Sequence, residues 1–162
     1  MKRSRAMLVS VLPLALVFGS VTTASAVILL VIVELLTLFA LVGLSFTFYA
    51  DVRAVPTPSA DVAACDIVIS VLDGRGDTLD TLQARVAPGE GVTLRYRSRA
   101  ERGSTEAIRA TIRSRTVPRS PLPPGPCPIL ASMQVVDGTT GRTEGMMMPA
   151  AQEVVRETIP AP

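Results

Sequence analysis

Apolar and polar residues are distributed unevenly along this chain. From Met7 to Phe18, and again from Val27 to Ala50, they are almost continuously apolar; beyond Asp51 they alternate. Alternation at period 2 marks strands with one buried face. Cys65–Leu72 is a β-branched run closed by the turn Asp73-Gly74-Arg75-Gly76-Asp77. Leu82, Ala84 and Val86 alternate with Gln83 and Arg85, and Ala87-Pro88-Gly89-Glu90-Gly91 is a second turn. Val92, Leu94 and Tyr96 alternate with Thr93, Arg95 and Arg97; Ile108, Ala110 and Ile112 alternate with Arg109, Thr111 and Arg113. Cys127–Val136 is a further strand, Asp137–Gly141 a hairpin turn, and Met146–Met148 the end of the last strand. Thr116–Pro126 is a Pro-rich loop. Short strands separated by regular turn signals predict an all-β fold, a small antiparallel β-sandwich of Ig-like outline over residues 65–148. A small, Pro-punctuated linker (51–64) precedes it and a tail (149–162) follows.

The two apolar stretches predict a membrane address. Met1–Ala26 has the parts of a secretory signal: basic Lys2, Arg3 and Arg5, the apolar Met7–Phe18, and Ala24-Ser25-Ala26 as a cleavage pattern. Uncut, it is a first hydrophobic segment. Val27–Ala50 is long enough to span a bilayer and is expected as a transmembrane anchor helix, with Glu34 inside it and Tyr49 at its far end. The basic N-terminus belongs inside the cell, and no positive excess follows Ala50 to hold that end there. Two spans in tandem, or a cut signal followed by a stop-transfer span, would leave the domain in the cytoplasm; one span exports it. The charge balance favours export, giving a cell-membrane protein with an extracytoplasmic C-terminal domain.

Val33-Glu34-Leu35-Leu36, followed by Ala40 and Gly43, resembles the N-terminal helix of type IV pilins and pseudopilins. That resemblance implies a helix-packing role for Glu34, against the terminal amine of a neighbouring subunit, in a secretion or filament system. The plainer reading is an anchor that tolerates one acid. A second resemblance covers Cys65–Met148. ISVLDGRGDTL, ARVAPGEGVTLRY and CPILASMQVVDGTTGRT are similar to a class of uncharacterised secreted bacterial proteins, which implies a β-sandwich and export but no activity.

Composition narrows the chemistry. With no His and one lysine at the extreme N-terminus, His-based triads, His-ligated zinc and a Ser–Lys dyad are all excluded. No catalytic, cofactor or metal residue is expected, and the protein is read as a non-catalytic envelope protein with a structural or binding domain. The net charge of +2 comes from the N-terminus, so no nucleic-acid partner is expected. Membrane lipid, an envelope protein or a polysaccharide is. Cys65 and Cys127 are an even pair, read as a disulfide in an exported domain and as free thiols in a cytoplasmic one. Arg95, Arg97, Arg109 and Arg113 fall on the polar sides of their strands and are expected to form an anion-binding stripe, or else a solvated face. Arg75-Gly76-Asp77 matches an integrin-binding tripeptide, and Asp73, Asp77 and Asp80 have oxygen ligands at calcium-loop spacing. Turn chemistry accounts for both.

Overall fold

Ten strands carry the alternation into three dimensions. In the computed structural model, which describes residues 29–59, 61–119 and 124–160, the strands are β1 (Leu29–Leu38), β2 (Val42–Ser45), β3 (Phe48–Pro56), β4 (Val62–Asp73), β5 (Thr78–Val86), β6 (Val92–Arg97), β7 (Thr105–Pro118), β8 (Ile129–Asp137), β9 (Thr143–Met147) and β10 (Ala151–Pro160). They form two antiparallel sheets. The six-stranded sheet runs β10-β1-β7-β4-β5, with β2 also paired to β7; the four-stranded sheet runs β6-β3-β8-β9. Only β4–β5 and β8–β9 are hairpins of directly paired chain neighbours; β1 and β2 follow one another beside β7 in the six-stranded sheet, and each of the remaining connections carries the chain to the opposite sheet.

The core lies between the sheets. Cys65, Ile67, Ile69 and Val71 of β4 and Ile108, Ala110 and Ile112 of β7 face Ala50, Val52 and Ala54 of β3 and Ile129, Ala131 and Met133 of β8. Burying each larger side chain of this set contributes about 1.5–3 kcal/mol. Cys65 is joined to Cys127, which stands just before β8, with Cα atoms 6.1 Å apart and both residues buried. The bridge therefore ties β4 to the segment that lies beside β7 and leads into β8.

The expected membrane helix over Val27–Ala50 is corrected from Leu29 onward, where the same residues form β1, β2 and the start of β3. The reason is that both faces carry apolar side chains. Leu35, Thr37 and Phe39 turn toward the core, while Leu36 and Leu38 line the outer face, half-buried. A strand apolar on both sides reads as a continuous run of membrane-spanning composition. Among the described residues no helix is long and apolar enough to cross a membrane. The signal segment Met1–Ala26 lies outside the described residues. The pilin-like stretch Val33–Gly43 lies in β1, the turn after it and β2, so Glu34 stands on a strand. The expected linker is also mostly strand: β3 continues to Pro56 and β4 begins at Val62. The tail contributes β10, which pairs with β1 over its whole length.

Candidate functional site

The outer face of the six-stranded sheet holds the best-formed site. Outward positions on β4 are Asp66, Val68, Ser70 and Leu72, because Cys65, Ile67, Ile69 and Val71 face inward. Register then sets their neighbours. Asp66 lies directly between Arg115 of β7 and Arg85 of β5. One step along, Arg113 lies between Leu36 of β1 and Val68 of β4, and Val68 lies opposite Gln83. Directly opposed residues on antiparallel strands share a face, so these side chains form rows across the sheet.

β1 follows β7 only from Leu35 to Leu38. Beyond that, Arg115 pairs instead with Pro126, and the Ser114 carbonyl accepts a hydrogen bond from the Cys127 amide. This divergence leaves an open groove of about 630 Å³ lined by Glu34, Asp66, Gln83, Arg85, Arg113 and Arg115. A second hollow of about 460 Å³ shares Glu34, Gln83 and Arg113 and has Leu36, Leu38, Val68 and Leu72 along its floor.

Asp66 organises the charges. Its Oδ1 accepts from Arg85 Nε at 2.7 Å and its Oδ2 from Arg85 Nη2 at 3.3 Å. Arg115 Nε also reaches Oδ2, at 3.4 Å. The Arg85 hydrogen bond is the chief reason that the Asp66 carboxyl titrates below the usual carboxylate range; partial burial opposes it and the charges of both arginines reinforce it. Among the described residues Arg113 makes no ion pair. Chemically the groove offers guanidinium forks, which match carboxylate or phosphate oxygens.

The expected stripe of Arg95, Arg97, Arg109 and Arg113 does not exist as one surface. Arg95 and Arg97 belong to β6 in the four-stranded sheet, and Arg109 and Arg113 to β7 in the six-stranded sheet. Alternation fixes which side of its own strand a residue takes, but not which sheet the strand joins. Arg95 is fully engaged: Nε and Nη2 each donate to Asp51 at 2.8 Å, and the guanidinium lies 4.2 Å from the centre of the Tyr49 ring. Arg97 lies across from Tyr49 on the same sheet. Arg109 approaches the β4–β5 turn, where a Cβ on Gly76 would meet its Nη2 at 3.0 Å.

Sequence reasoning missed Arg85 and Asp66 as site residues. The signal was present in their parity: Arg85 alternates with inward Ala84 and Val86, and Asp66 is the only acid in CDIVISVL. Glu34 lines the groove instead of a helix interface. The turn holding Arg75-Gly76-Asp77 is built by Asp73, whose Oδ1 accepts from the amides of Arg75 (2.8 Å) and Asp77 (2.9 Å). Those bonds, with Asp77 the larger contributor, hold the Asp73 carboxyl below its ordinary value. Gly76 has φ 98°, a left-handed conformation that favours glycine. Among the described residues no group of three or more His, Cys, Asp or Glu is placed to hold a metal ion. No family model, no curated protein and no solved structure matches this chain.

Proposed function

We propose that this chain is an exported, non-catalytic domain of the bacterial envelope that works by binding, with Met1–Ala26 carrying it to and across the membrane. The observation that carries the reading is the Cys65–Cys127 disulfide in the core. Such bonds form and persist in oxidising compartments. The strand assignment supports it as well. With Leu29–Ala50 taken up in the sheets, Met1–Ala26 is the one long apolar stretch left for the membrane, and a single span puts the domain outside. The sandwich outline belongs to the same reading: two antiparallel sheets around one buried disulfide.

Binding, in place of catalysis, follows from what the groove contains. Among the described residues it has arginines, two carboxylates and an amide, but no nucleophile paired with a base. The test is labelling of intact cells with a membrane-impermeant maleimide, with and without prior reduction. Export predicts labelling of Cys65 and Cys127 only after reduction under denaturing conditions that keep the membrane closed, and co-sedimentation of uncut protein with membranes. Labelling that needs lysis and no reductant would place the domain in the cytoplasm and end this reading.

A further inference from the structure

The geometry points to the groove of Arg85, Arg113 and Arg115 as a binding site for an acidic glycan, a polymer that carries repeated carboxylates. This deepens the reading above and rests on it for the choice of polymer. Arg85 and Arg115 stand on strands separated by β4, so their backbones are about 10 Å apart, two strand spacings. Arg113 and Arg115 are two residues apart on one face, about 7 Å along β7. The guanidinium groups of Arg85 and Arg115 converge on Asp66, and Arg113 stands farther along the groove, so a chain of carboxylates lying in it meets the pair and then Arg113 in turn.

The forks are prepared for such a ligand. Asp66 takes both Nε and Nη2 of Arg85, which thereby lends the groove its charge, but only Nε of Arg115, whose terminal nitrogens are left available. Of the three groove arginines, Arg113 is the one without an ion pair among the described residues. The opposite sheet presents arginines too, but Arg95 is locked on Asp51 and Tyr49, and Arg99 donates to the Leu79 carbonyl and lies near the Tyr96 ring. Among the described residues no aromatic side chain lines the groove to stack on bases, which favours a glycan over single-stranded nucleic acid. The arginines line a hollow, and a single polymer chain enters a hollow where a flat bilayer surface does not. Glu34 at the rim repels an anionic ligand, and this gives the proposal a sign.

The experiment is titration of the full chain in low salt with polygalacturonate, with single-stranded DNA and anionic phospholipid vesicles as comparison ligands. Arg113→Ala is expected to weaken polygalacturonate binding about fivefold, and Glu34→Gln to tighten it about threefold, as about 1 kcal/mol per exposed charge contact implies. Arg97→Ala, on the other sheet, is expected to leave it unchanged. Unchanged circular dichroism in all three variants ensures that folding is not what is read. No binding of polygalacturonate, an equal loss in Arg97→Ala, or tighter binding of DNA or vesicles that Arg113→Ala weakens would overturn the site. The two readings separate cleanly. Polymer binding with a cytoplasmic labelling pattern sinks the address alone, and export without polymer binding sinks the groove alone.

Discussion

Thr37 places a hydroxyl in the core without a hydrogen-bond partner among the described residues. An unpaired buried hydroxyl costs about 1–3 kcal/mol. Valine has nearly the same shape and no such group, so Thr37→Val is expected to stabilise the fold by about 1 kcal/mol. A urea titration checks this: the midpoint should rise with the slope unchanged. Asp66 acts in the opposite direction, through charge. Its carboxyl is held below the unfolded value of 3.8, first by the Arg85 hydrogen bond. The folded state therefore favours the ionised form. That contribution is fully present above about pH 4 and is lost as pH falls through the lower folded value. The Asp66 side chain is 25% exposed and its arginines more so, which limits the effect to at most about 1 kcal/mol. Asp66→Asn should lower the urea midpoint slightly at pH 7, and the difference from the parent protein should shrink by pH 3. A difference that grows on acidification would contradict the assignment.

At the scale of the element, legibility depended on whether the signal was local. The β4–β5 hairpin was readable because its turn chemistry sits in consecutive residues, with Asp73 accepting amides inside its own turn and Gly76 at positive φ. β6 and β7 were readable because Leu94 and Tyr96, and Ile108, Ala110 and Ile112, are buried on one side and arginines are exposed on the other. β1 was not, because both its faces carry apolar side chains and the alternation vanishes. β3 does alternate, with Ala50, Val52 and Ala54 buried, but its first residues ended an apolar run and its last one is a proline. The groove was hidden for another reason. Arg85, Asp66 and Arg115 come together only through the order β7-β4-β5, which no single strand encodes. These assignments have a direct consequence. A chain beginning at Cys65 lacks β3, the strand that joins β6 to β8 in the four-stranded sheet. It is expected to stay unfolded by far-ultraviolet circular dichroism, while a chain beginning at Leu29 melts cooperatively. If residues 29–50 formed a membrane helix instead, the shorter chain would fold as well as the longer one.

At the scale of the whole molecule, the two sheets share one core, and one covalent bond ties β4 to the segment that leads into β8. The cysteines are 62 residues apart in sequence, and closing a loop of that length removes unfolded-state entropy worth about 4 kcal/mol at 25 °C in the chain-entropy model. Small domains have net stabilities of about 5–15 kcal/mol, so this one bond is a large share of what keeps the sheets together. Both cysteines are buried, at 0% and 1% exposure, so a reductant reaches them only when the sheets separate. Dithiothreitol added to the folded protein should therefore act slowly, at a rate that rises with urea. Protein reduced while unfolded and then returned to buffer should show a much lower urea midpoint than the oxidised form, with a single transition, because both sheets lose the tie together. If the reduced and oxidised proteins unfolded at the same urea concentration, the bridge would be incidental to the fold. The core packing between β4, β7, β3 and β8 would then suffice alone, and the disulfide would no longer argue for an oxidising compartment.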